Sequence, residues 1–199
     1  MKFLGALLVV SSALCFGTAQ AATLQQAAPD FNLSNAQGEQ VSLADFRGKF
    51  VVLEWTNHLC PFVVKHYDSG NMQAQQKQAT DDGVIWLSII SSAPGKQGHV
   101  SAKQARELTS SRGAVPSHVL FDGDGEVGRA YGAKTTPHMY LIDPQGTLLY
   151  MGGIDSIPSA DQADLKKATQ YLPVALRQAK AGEPVAPAQT RPYGCSVKY

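Results

Sequence analysis

Two cysteines and one threonine–proline pair carry the chemistry that this chain offers. Cys60 follows an apolar β-type run, Phe50-Val51-Val52-Leu53-Glu54-Trp55, and is itself followed directly by Pro61. If a helix starts at Pro61, proline suits its first position: its φ is already near the helical value and its missing N–H would have had no acceptor. Cys60 then caps that helix and faces free backbone N–H groups and the positive end of the helix dipole. Such a setting favours the thiolate, the nucleophilic form of cysteine. Lys65 and His66 add positive charge further along the same helix. The plainer alternative is a small buried apolar side chain. Thr135-Thr136-Pro137 precedes a second β-type run, His138 to Ile142. A proline is tolerated at the first residue of a strand, and it could equally be a cis proline fixing a turn. Spacing alone does not separate the two.

The compartment decides what Cys60 can do. Lys2 is the only charge in residues 1–21, residues 3–16 are mostly apolar, and Ala19-Gln20-Ala21 completes the layout of a secretory signal. The apolar core is too short to span a membrane, and cleavage is expected after Ala21. Leu14 before Cys15 lacks the small side chain of a lipoprotein signal. Cleavage leaves Cys60 and Cys195, and two thiols in an oxidising compartment raise a disulfide or redox question. Cys195 could resolve or protect Cys60. A permanent bond could instead pin the segment that carries Cys195, closing a loop worth roughly 4–5 kcal/mol. No bond forms if the fold keeps the two apart.

The 17 basic residues, less Lys2, match the 16 acidic ones, so charge gives no case for nucleic acid or an anionic membrane. No other long apolar run suggests a membrane span. The remainder is long enough for one domain with a real core.

These side chains must be positioned by a strand–helix alternation. A short strand is expected around Val41, and buried-type strands at Phe50–Trp55, Gly83–Ile90 and Ser117–Asp122. Helices are expected from Pro61 to near Tyr67, from near Asn71 to Ala79, over Ser101–Arg112 and, briefly, over Gly125–Ala133. Lys134–Ile154 reads as a hairpin turning at Asp143-Pro144-Gln145-Gly146. A last helix is expected over Ser159–Ala181, kinked at Pro173. From residue 182 the composition turns Pro- and Ala-rich and reads as an extended arm able to lay Cys195 back over the domain. This order predicts an α/β fold: a central mixed sheet with helices on both faces. The expected divisions are a signal over 1–21, a domain over 22–181 and a tail over 182–199. Trp55 is expected to pack beneath Cys60. His58 and His138 flank the candidate site; a thiolate with imidazoles suits copper or zinc, but the spacing matches no ligand motif, and no metal site is assigned.

The stretches "APDFNL", "VSLADFRGKFVVLEW", "CPF" and "TTPHMYLIDPQGTLLY" resemble the thioredoxin-like redoxin families, among them the peroxiredoxin-like alkyl hydroperoxide reductase/TSA group. "NHLCPFVVKHYDSGNMQ" with "PYGCSVKY" is similar to a subgroup of secreted redoxin-domain proteins. The resemblance covers about Ala28 to Ile154. It implies a thioredoxin-like fold with Cys60 as the reactive thiol and Thr136-Pro137, joined by a cis bond, beside it in space to hold the substrate backbone. Two departures limit it. Asn57 stands where the first cysteine of a C-x-x-C pair would be, so local dithiol exchange is impossible. Leu53 and Asn57 stand where a P-x-x-x-T-x-x-C peroxidase site has its proline and threonine, which counts against efficient peroxidase activity.

The expectation is a secreted, periplasmic-type thiol redox protein with Cys60 as nucleophile and Cys195 as resolving partner. Its substrate would be a thiol/disulfide protein or a peroxide, and it would draw on an external thiol reductant or oxidant. No organic cofactor is called for. The contrasting reading is a non-enzymatic binding module with a permanent Cys60–Cys195 bond, taking a peptide or a metal in its groove.

Overall fold

The computed structural model describes residues 21–199; the expected signal, with Lys2 and Cys15, lies outside the described residues but for Ala21. The strands are β1 (Asn32–Asn35), β2 (Gln40–Ser42), β3 (Val51–Trp55), β4 (Ile85–Ile90), β5 (His118–Phe121), β6 (Thr135–Thr136), β7 (His138–Ile142), β8 (Leu148–Gly152) and β9 (Cys195–Ser196). The helices are α1 (Pro61–Asp68), α2 (Asn71–Asp81), α3 (Ala102–Ser111), α4 (Glu126–Tyr131) and α5 (Tyr171–Lys180). Among the described residues, seven strands form one sheet in the order β2-β1-β5-β4-β3-β7-β8. β3, β4 and β5 run parallel, and the β7–β8 hairpin adds antiparallel strands beside β3.

Both faces of the sheet are covered, which is why β3 is buried throughout rather than alternating. One face packs Val52, Trp86 and Leu141 against Val63 of α1, Met72 of α2 and Leu172 of α5. The other packs Leu53, Trp55, Leu87, Ile89 and Tyr140 with Tyr131 of α4. Trp55 therefore does not lie beneath Cys60, which belongs to the first cluster. Strand alternation sends Trp55 to the far side and leaves Glu54 on the Cys60 side.

One strand was not expected, and one expected helix is corrected. Asn32–Asn35 forms a strand, held between β2 and β5 by antiparallel pairing. The helix expected over Ser159–Ala181 is a 3₁₀ turn at Gln162–Lys166 followed by α5. Pro173 falls in the first turn of α5, where its missing N–H had no acceptor, so no kink is needed.

Residues 182–199 lie against the domain. Met151 N–H donates to the Ala188 carbonyl and Thr190 N–H donates back to Met151, fixing one end beside β8. β9 then pairs antiparallel with β6. Further on, Ala93 N–H donates to Lys198 and the Tyr199 hydroxyl to the Ala133 carbonyl. The Tyr199 ring lies 4.6 Å from the Arg129 guanidinium and fills space left by Gly125 and Gly128.

Candidate functional site

The turn between β3 and α1 is built by Asn57. Its Oδ1 accepts the Leu59 N–H at 2.9 Å, and its carbonyl accepts the Cys60 N–H at 3.0 Å. The side chain is buried against Gly98, where a Cβ would come within 2.5 Å of it. The residue that replaces a first cysteine thus shapes the loop that presents the remaining one. Cys60 is extended (φ −77°, ψ 122°) at the N-cap and Pro61 opens the helix.

Cys60 has no solvent exposure (0 %). Its thiol donates to the Thr136 carbonyl at 3.1 Å, and the Cys195 N–H donates to its sulfur at 3.4 Å. The Thr136–Pro137 peptide is cis. In the β6–β9 register Cys195 stands opposite Thr136. Cys60, Cys195, Thr136 and Pro137 therefore meet at one point, and both sulfurs are free thiols. Gly194 makes the approach feasible: its φ is +128°, and a Cβ there would lie 2.0 Å from the Thr136 carbonyl oxygen.

Burial pushes the Cys60 thiol up, and the thiol-to-carbonyl contact also favours the protonated form. Hydrogen bonds from the Cys195 thiol, the Thr136 hydroxyl and the N–H groups of Cys195 and Val63 outweigh both and leave Cys60 below its ordinary value. Cys195 moves the other way, to about 11, through burial and the neighbouring Cys60 sulfur. Proton loss is thus assigned to one sulfur and retention to the other.

Beneath the thiols lies a cluster that the sequence reading missed. Lys65 and His66, one turn into α1, are buried rather than surface residues. Lys65 Nζ is 3.3 Å from Asp155 Oδ2, and His66 Nε2 is 3.6 Å from the same oxygen. The Tyr193 hydroxyl donates to Asp155 Oδ1 at 2.5 Å, accepts from Lys65 Nζ at 3.1 Å and lies 3.3 Å from His66 Nε2. Burial, and then Lys65, lower the His66 pKa to about 4, so at neutral pH it adds no positive charge. Nothing in local spacing marks Asp155.

Glu54 is also wholly buried and accepts from Tyr67, Gln76, Trp86 and Ser88. Burial holds its carboxyl above the ordinary range. Its signal in the sequence was a lone acid inside an apolar strand.

His138 is buried, lowered to about 3 by burial and then Lys134, and its Nδ1 meets the Tyr140 hydroxyl at 3.1 Å. Among the described residues no three His, Cys, Asp or Glu side chains are grouped to hold a metal ion.

A mixed sheet that ends its central strand at a helix-capping cysteine, with a cis proline opposite, defines a thioredoxin-like α/β protein. The chain belongs to the AhpC/TSA family, which matches residues 24–151. It is similar to an uncharacterized conserved protein from Geobacillus kaustophilus (26% identity, 89% of this chain and 92% of that one, TM-score 0.73). A hypothetical protein from Sinorhizobium meliloti 1021 is similar over 90% of this chain and 96% of its own, at 24% identity and TM-score 0.72. A putative thiol:disulfide interchange protein DsbE from Chlorobium tepidum shares the fold over 66% of this chain and 85% of its own, at 24% identity and TM-score 0.53. No curated protein sequence matches the chain.

Proposed function

We propose that the protein is an exported thiol–disulfide redox protein in which Cys60 is the nucleophile and Cys195 resolves it. The carrying observation is the Cys195 N–H 3.4 Å from the Cys60 sulfur, on a strand that pairs with the residues before a cis proline. The Cys60 thiolate attacks a substrate disulfide to give a mixed disulfide, and Cys195 attacks Cys60 to release the substrate as a thiol. Thr136 and Pro137 hold the substrate backbone beside the sulfur. An external thiol reductant returns the pair to the dithiol. The signal layout of residues 1–21 supports export to a periplasmic compartment, leaving a domain over 22–181 and a tail over 182–199. Disulfide exchange is favoured over peroxide reduction because Leu53 and Asn57 occupy the positions of the peroxidase proline and threonine.

One observation favours the second reading, a binding module with a permanent bond: the tail is tied down on both sides of Cys195, at Thr190 and at Tyr199. A glutathione redox titration, read by intact mass after alkylation, separates the two. The redox reading expects a Cys60–Cys195 bond that opens well above about −300 mV, whereas a structural staple survives to lower potentials.

A further inference from the structure

Resting on the redox reading above, we propose that Tyr193-Gly194-Cys195 is a built-in copy of the substrate. The site takes an extended peptide with an aromatic residue and a glycine ahead of its cysteine, and Lys65, His66 and Asp155 form the pocket that receives the aromatic hydroxyl.

Each part of the motif answers to a feature of the site. Among the described residues β6 pairs only with β9, so lifting β9 frees a short strand edge for another extended chain. The Thr136 carbonyl touches the Cys60 thiol, so a strand taking the β9 register brings the residue opposite Thr136 to the nucleophile. The residue before it must lack a Cβ, which would lie 2.0 Å from the Thr136 oxygen. The residue before that turns its ring against Phe62, with centroids 5.7 Å apart, and sends its hydroxyl among Lys65, His66 and Asp155. Buried charges are costly when their hydrogen bonds are unmet, so the vacated pocket calls for a hydroxyl of the same reach. Cys60 itself is wholly covered; exchange with a peptide requires this strap to yield its place.

The exchange balances as follows. The Cys60 thiolate attacks the peptide's cysteine sulfur, forming a Cys60–peptide S–S bond. The peptide's previous S–S bond breaks, and its outer sulfur leaves with the electron pair and takes up a proton. The returning strap brings the Cys195 sulfur onto Cys60; their bond forms and the peptide leaves as a thiol with the proton that Cys195 gave up. The protein dithiol is oxidised by two electrons and the peptide disulfide is reduced. Because strap and peptide compete for one edge, resolution and product release are a single movement.

The test uses the full chain with Cys195→Ser and a peptide of sequence Arg-Pro-Tyr-Gly-Cys-Ser-Val-Lys, its cysteine carried as a mixed disulfide with thionitrobenzoate. Release of thionitrobenzoate gives the rate, peptide mapping locates the adduct on Cys60, and Cys60→Ala is the blank. The tyrosine peptide should react about tenfold or more faster than one with alanine in its place. A phenylalanine peptide should fall between, and alanine for the glycine should abolish the advantage. Asp155→Asn should bring the tyrosine and phenylalanine peptides together. Equal rates for all peptides overturn the aromatic pocket. If oxidised glutathione reacts at Cys60 but no peptide does, the strap yields without leaving an edge that takes an extended chain, and the proposal fails while the redox reading stands. If oxidised glutathione fails too, both fail.

Discussion

Cys60 and Glu54 are both wholly buried, yet their surroundings drive them in opposite directions. Donors around the Cys60 sulfur overcome burial, while four donors around Glu54 do not. His66 shows the same physics with the opposite charge. Its pKa of about 4 in the folded chain lies below the 6.5 of a free imidazole, so between those values the unfolded chain holds the extra proton. Stability is therefore lost as pH falls from about 6.5 towards 4, by up to roughly 3 kcal/mol from this group. His138 acts in the same sense. Glu54 opposes them, because a raised carboxyl loses stability as pH rises above its ordinary range. His66→Gln should remove its share of the acid-side loss. Urea unfolding of wild type and variant between about pH 7 and pH 4 checks this, and a constant difference between the two curves would refute it.

At the level of elements, β6 and β9 have two residues each, and their pairing depends on the absence of a side chain at Gly194. Gly194→Ala should unseat the strap and speed alkylation of Cys60 by iodoacetamide about tenfold or more. An unchanged rate would mean that the pair accommodates the methyl group. The same two elements mark the limit of what the sequence disclosed. β3, β4, β7 and the start of α1 were legible because long apolar runs, a turn signal and the Cys60-Pro61 pair are local features. The resemblance drew Thr136 and Pro137 towards Cys60. β1, β6 and β9 were missed because they contain no apolar run and exist through their partners. The burial of Lys65 and His66 was not legible because a helix pattern does not reveal that a distant carboxylate and phenol will enclose them. The Ser159–Ala181 helix was overextended because its apolar spacing continues through the 3₁₀ turn.

Over the whole molecule, Asp155 joins elements far apart in the chain: Lys65 and His66 on α1 and Tyr193 on the strap. Removing its charge leaves Lys65 buried without a counter-charge, so Asp155→Asn should cost about 3–5 kcal/mol of stability, measured by urea unfolding at neutral pH. Replacing Asp155 and Lys65 together by Leu and Met should cost less than the single change, since no lone charge is then buried. Additive costs would show that the pair does not act as a unit.

The strap also lies 135 residues downstream of the sulfur that it covers. A growing chain adds roughly 5–20 residues per second, so the thiol is made on the order of ten seconds before its cover. A nascent chain that has already folded its sheet holds Cys60 at a helix start with an open edge beside it. Synthesis order thus leaves the thiol of the incomplete chain uncovered, and the last residues to emerge are those that enclose it.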